Sequence, residues 1–174
     1  MKKDVILSIC GKQSYMDQDP DVIELVTEGT LEEKDGGWDL CYEESALTGL
    51  EGVTTTFRIE PDQITLTRTG KLNSKMVFKE GVPHDSLYQM EFGALMISVC
   101  AKRIMVHLDE SGGMIDLIYG IELEHTTAGE VDYHLEIYPK YVEKSFNDST
   151  LVKDIIKHLQ QLDSPQMFIN YCKI

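Results

Sequence analysis

Between residues 5 and 138 apolar and polar side chains alternate with period two, and turn-forming residues break the alternation at short intervals, which predicts antiparallel strands joined by hairpins. Val5, Leu7 and Ile9 share one face of a first strand, and the polar stretch 11–20 closes it. A long extended run follows over 21–34, with a bend or bulge expected at Gly29. Asp35-Gly36-Gly37 reads as a tight hairpin in which the two glycines supply positive φ. Trp38, Leu40 and Tyr42 then lie on one face and Asp39, Cys41 and Glu43 on the other. After a loop over 44–52, Val53, Thr55, Phe57 and Ile59 alternate with Thr54, Thr56, Arg58 and Glu60. Pro61-Asp62 turns the chain into Ile64, Leu66 and Arg68, and Gly70-Lys71 introduces a strand carrying Met76 and Phe78. A turn over 80–83 leads to Tyr88, Met90 and Phe92, followed by a long strand over 95–108. A hairpin loop over 109–113 precedes two final strands, 114–124 and 131–138, joined across residues 126–129.

Such a meander of about nine or ten strands, with no helical pattern between them, closes into a barrel or splits into a sandwich. The uniform hairpin links favour an all-β, antiparallel up-and-down barrel of about eight to ten strands, which side chains can fill or which can hold one small ligand. After Pro139 the pattern changes. Asn147, Asp148 and Ser149 are suitable N-caps, and Leu151, Ile155, Leu159 and Leu162 recur at steps of four and three, which predicts a C-terminal amphipathic helix. The tail beyond Pro165 carries Met167, Phe168, Ile169 and Tyr171 and is expected to dock on the barrel or on a second copy of it. The predicted organisation is a barrel over 1–140 with the helix and tail of 141–174 packed on it as part of one domain.

Composition narrows the partners. The 174 residues include 16 Lys+Arg against 30 Asp+Glu, a formal net charge of -14. That excess repels phosphate backbones and anionic lipid, so neither nucleic acid nor a membrane is an expected partner. Met1-Lys2-Lys3 is followed at once by Asp4 and a short apolar run, which does not match a signal peptide. The uncharged stretch 92–101 is about half of what a spanning helix needs. Cys10, Cys41, Cys100 and Cys172 are scattered without C-x-x-C or zinc spacing and read as reduced, mostly buried thiols in a cytoplasmic protein.

Several stretches together carry a resemblance. They are Tyr42-Glu43-Glu44-Ser45, Thr48-Gly49-Leu50-Glu51-Gly52, Thr54-Thr55-Thr56, Leu66-Thr67-Arg68-Thr69-Gly70, Ser74-Lys75-Met76-Val77-Phe78, Tyr88, Phe92-Gly93 and Tyr119. Over residues 4–138 this pattern resembles the uncharacterised bacterial family typified by YwiB. The resemblance implies a calycin-like, lipocalin-type β-barrel in a cytoplasmic protein. It implies no activity, and the part after Pro139 has no counterpart in the pattern.

Arg68 continues the face of Ile64 and Leu66, which brings a guanidinium to the lumen with Tyr42, Glu43 and Glu44 as neighbours. It either anchors a polar or anionic head group in an otherwise apolar pocket, or ends one side of the barrel through an ion pair or in solvent. Trp38, Tyr42, Phe57, Met76, Phe78, Tyr88, Met90 and Phe92 either line a cavity or make ordinary core. His125, Asp132 and His134 are expected near one another around the last hairpin, but without a recognised metal spacing and on a solvated face. No nucleophile elbow, phosphate-binding glycine loop or H-E-x-x-H is present, so no catalytic residue, metal or cofactor is assigned.

The residues therefore point to a binding module for a small apolar or amphipathic ligand, with Tyr42, Arg68, Glu43, Glu44, Trp38 and Tyr88 as its candidate site. The alternative is a filled-barrel structural or interaction protein that forms a homodimer or docks on a partner through its C-terminal extension. A catalytic role ranks last.

Overall fold

The computed structural model describes residues 1–15 and 18–140. The helix predicted from Asn147 and the apolar tail after Pro165 lie outside the described residues.

Ten strands follow one another: β1 (Lys3–Ser14), β2 (Asp21–Lys34), β3 (Gly37–Glu43), β4 (Val53–Glu60), β5 (Gln63–Gly70), β6 (Leu72–Phe78), β7 (Pro83–Met90), β8 (Gly93–Asp109), β9 (Gly112–Leu123) and β10 (Thr126–Pro139). Each pairs antiparallel with its neighbours in sequence, and β1 pairs with β10, so the sheet closes on itself as an up-and-down barrel. One short 3-10 turn, Ala46–Thr48, interrupts the β3–β4 connection; the Ser45 side chain accepts from the Leu47 amide and Gly49 closes it in the left-handed region.

Alternation sets the inside. On β4, Val53, Thr55, Phe57 and Ile59 are all buried, while the residues between them are only partly so. The end of the barrel that holds the β2–β3 and β4–β5 turns is packed solid by Leu7, Leu40, Ile64, Phe78, Leu135 and Ile137. Two aromatic pairs cross the lumen above it, Phe57 with Tyr133 at 5.8 Å between centroids and Phe78 with Tyr119 at 4.7 Å. The packed end is ordinary core, as the alternation of apolar positions predicts.

Several local expectations are corrected. In the β2–β3 hairpin it is Asp35 and Gly36 that adopt positive φ, 49° and 72°. Gly37 is already strand, and a Cβ there would meet the Ile59 carbonyl at 2.5 Å. The register of β2 against β1 runs through Gly29 without a shift. Its glycine is explained by crowding, since a Cβ would approach the Cys41 carbonyl to 2.7 Å. The first strand runs on to Ser14, with Gly11 and Gln13 buried, because pairing on both sides overrides the polar look of that stretch. The last hairpin turns at Glu124 and His125, with φ of 47° and 65°, ahead of the predicted position. Phe92 sits in the β7–β8 turn, 95% exposed, and Met90 is exposed as well. Cys10, Cys41 and Cys100 are half-buried free thiols rather than core residues, each next in sequence to inward-facing neighbours and so on the outer face.

One seam is incomplete. Where β1 and β10 match ten residue pairs, β6 and β7 match two, Leu72 with Met90 and Asn73 with Gln89. At the far end Lys79 bridges Val82 and Glu80 bridges Ala101 of β8, and the Gly81 amide donates to the Ala101 carbonyl at 2.9 Å. Between them the two strands lie side by side without a matched ladder, next to two buried polar atoms without a hydrogen-bond partner, Ser74 Oγ and His84 Nδ1.

Leu135 is fully buried and Leu87, on the outer face, is 46% exposed. Leu135→Ala is expected to lower the unfolding free energy by about 2–5 kcal/mol in urea titration. Leu87→Ala should change it by no more than about 0.5 kcal/mol. Equal losses would contradict the inward assignment of β10.

Candidate functional site

Register places four polar side chains at one level on consecutive strands. Tyr42 of β3 lies opposite Thr55 of β4, Thr55 opposite Arg68 of β5, and Arg68 opposite Ser74 of β6. All four share the inward face of their strands with buried apolar residues: Leu40, Phe57, Leu66 and Met76 respectively. The result is a polar row around part of the lumen, one level from the solid core.

Other strands complete the surroundings. Glu44, just past β3, is buried; its backbone amide donates to the Val53 carbonyl at 2.9 Å. Its carboxylate accepts from the Thr55 hydroxyl at 2.7 Å. The Tyr42 phenol hydrogen-bonds with both Tyr133 and Glu44. Burial, with the Glu44 charge beside it, pushes the Tyr42 phenol far above its ordinary range. Burial likewise raises Tyr133, with Tyr42 adding to it. Both phenols are therefore neutral hydroxyls at physiological pH.

Arg68 is the one cation in this group. Burial works against its charge, but the phenol of Tyr88, then Tyr42, Glu44 and Tyr119, outweigh that, so the guanidinium holds its proton more tightly than usual. Its Nε is buried and has no hydrogen-bond partner. None of the ion pairs among the described residues involves Arg68.

Two cavities open on this side chain. The larger, about 100 Å³, is lined by Arg68, Tyr88, Tyr119, Tyr133 and Gln13 together with Leu66, Met76, Ile97 and Val131. The smaller, about 70 Å³, is lined by Arg68, Tyr42, Glu44, Tyr133 and Thr48 together with Ile9, Leu25 and Leu50. Arg68 and Tyr133 belong to both, so they form the partition between two chambers. Chemically, each chamber joins apolar walls to a small number of donors around one cation.

The structure brings together Arg68, Tyr42, Glu44 and Tyr88 of the residues singled out from the sequence. It does not bring Glu43, which faces outward and accepts from Thr54 at 2.8 Å. Trp38 has the right face but the wrong level: it pairs with Ile59 near the packed end and lines neither cavity. Tyr133, Tyr119, Thr55 and Gln13 were not among the candidates, although the parity of their strands puts each on the inner face. The remaining histidine expectation fails on distance along the strand, since His125 is in a turn and His134 lies well down β10, paired with Asp116 and Cys10. Asp116 Oδ1 is 2.5 Å from His134 Nδ1 and Glu136 Oε1 is 3.6 Å from Nε2. Among the described residues no group of three or more His, Cys, Asp or Glu is arranged to hold a metal ion.

Comparison with known proteins gives a concordant result. Residues 7–137 match the family model described as a domain of unknown function, DUF1934. The chain is 30% identical over 130 residues to the uncharacterized β-barrel protein YwiB of Bacillus subtilis (strain 168), covering 72% of this chain and 90% of that protein. The crystal structure of the Bacillus subtilis ywiB protein superposes with a TM-score of 0.72 at 23% identity, over 80% of this chain and 94% of that one, and supports the fold.

Two predictions follow from these contacts. Thr55→Val keeps the shape but leaves the buried Glu44 carboxylate one donor short, and is expected to cost about 1–3 kcal/mol in urea titration. Thr54→Val, whose partner Glu43 is exposed, should cost under about 1 kcal/mol. The hydrogen bond to Asp116 raises His134 above its usual range, opposed by burial and helped by Glu136. A raised folded pKa gives stability that is complete below about pH 6.5 and fades as pH climbs through the folded value. His134→Gln should therefore narrow its stability deficit between pH 5.5 and pH 9; a deficit constant with pH would rule out the charged pair.

Proposed function

The chain belongs to the DUF1934 family, whose description names no activity, and on that footing we propose that its barrel is a binding module for a small, partly apolar molecule whose anionic or polar head group docks on Arg68. The observation that carries this reading is the state of that guanidinium: a buried, unpartnered Nε on a side chain that forms the wall between two cavities. A cation held inside protein without an ion-pair partner costs several kcal/mol, and a bound anion offsets that cost. Tyr42, Tyr88 and Glu44 frame the head group, and the Leu66, Met76 and Ile97 walls take the apolar part. Tyr133 and Tyr119 are added to the site on the same grounds. The free thiols of Cys10, Cys41 and Cys100 fit a reducing, cytoplasmic setting.

A second reading is a filled-barrel interaction protein that self-associates or docks on a partner. The observation in its favour is the small size of the cavities, about 100 and 70 Å³, against roughly 300–1,000 Å³ for ordinary ligand pockets.

Native mass spectrometry of freshly purified full-length protein, compared with its denatured mass, separates the two. The binding module is expected to carry added mass that is lost on denaturation and is missing from Arg68→Met prepared in the same way. A bare monomer or dimer in both preparations would favour the interaction protein.

A further inference from the structure

Resting on that reading of Arg68, we propose that the larger chamber selects a short-chain monocarboxylate over phosphate groups and over neutral molecules of the same shape. The charge balance of the site sets the first part of the selection. Arg68 supplies one positive charge, and the buried Glu44 carboxylate lines the smaller chamber on the other side of it. Together the two sum to zero, so one negative charge on the ligand, held at the guanidinium, leaves the site at minus one. A second would sit unmatched in the lumen, with Glu44 close by and a chain of net charge -14 around it.

Geometry sets the second part. A carboxylate is planar and meets guanidinium N–H groups in parallel pairs, and the partnerless Nε–H of Arg68 is one of the donors such a pair uses. The neutral phenols around the lumen, Tyr133 among them, are donors as well as acceptors and suit an oxygen anion without adding positive charge. Size sets the third. A cavity of about 150 Å³ lined by apolar side chains holds benzene, so a chamber of about 100 Å³ holds fewer atoms, on the scale of a carboxylate with a two- or three-carbon tail. Leu66, Met76, Ile97 and Val131 provide the apolar contact for that tail. A neutral amide of the same shape fills the same space but offers the buried Nε–H no charged acceptor, and phosphate has neither the planar edge nor the tail.

The test is titration calorimetry of the full-length protein with sodium butyrate, butyramide and inorganic phosphate at pH 7.5 and constant ionic strength. Butyrate is expected to bind at one site per chain at least about tenfold more tightly than either other probe. Arg68→Met should abolish that binding, and Arg68→Lys, which keeps the charge and loses the fork, should weaken it by at least about tenfold. Glu44→Gln should close the gap between butyrate and phosphate by several-fold. The urea midpoint of each variant shows whether it folds, and Arg68→Lys carries the test if Arg68→Met does not.

Phosphate binding as tight as butyrate, or butyramide equal to it, overturns the monocarboxylate assignment. If phosphate binding, or an adduct seen in native spectra, still requires Arg68, the broader reading survives that result. Silence from all three probes, together with native spectra free of any adduct, overturns both.

Discussion

Everything inside this molecule depends on the pairing of its first strand with its last. Nine of the ten seams join strands adjacent in sequence, but β1 meets β10 across more than a hundred residues, from Val5 opposite Pro139 to Ser14 opposite Glu130. Bringing those ends together costs chain entropy that local hairpins do not, so closure is the demanding step in reaching the fold. It also fixes parity. A slip of β1 by one residue would turn Leu7 and Ile9 out to solvent and draw Ser8 and Cys10 inward. The same pairing sets Gly11 opposite Tyr133 and Gln13 opposite Val131, which brings β1 to the walls of both chambers.

Given closure, the polarity of the lumen follows from level. The packed end takes aliphatic and aromatic residues from most strands, and the crossing pairs Phe57–Tyr133 and Phe78–Tyr119 bound it. One level above, Tyr42, Thr55, Arg68 and Ser74 fall in register, so a single arginine meets hydroxyls on either side instead of hydrocarbon. Those hydroxyls make its burial tolerable. They do not neutralise it, because Tyr42 and Tyr133 keep their protons; the negative charge that acts on it is that of Glu44, whose carboxylate accepts from Thr55.

Much of this was legible in the chain, and what was not had a common cause. The alternation of Val53, Thr55, Phe57 and Ile59, and of Ile64, Leu66 and Arg68, is clean enough to give strand, face and the inward arginine together. Glu43 and Glu44 could not be separated as a dipeptide, although continuing the parity of Leu40 and Tyr42 sends the first outward and the second in. Trp38 has the parity of Tyr42, and only cross-strand register shows that it sits at the opposite end. Gly11 and Gln13 look like loop because their burial comes from pairing with β2 and β10, which local composition does not report. Tyr133 was hidden between Asp132 and His134, charged neighbours that made its strand read as surface. Face is a local property of sequence; level around a barrel is not.

The short ladder between β6 and β7 sets this part of the wall apart from the rest. A wall closed by ladder bonds along its whole length has a fixed girth. Here residues 74–78 and 84–88 face each other without a continuous ladder, held at one end by two residue pairs and at the other by isolated bridges. Parting these two strands gives up few ladder bonds, while every other seam stays zipped. The wall is therefore weakest along one line, held by the clasp at Leu72 and Met90.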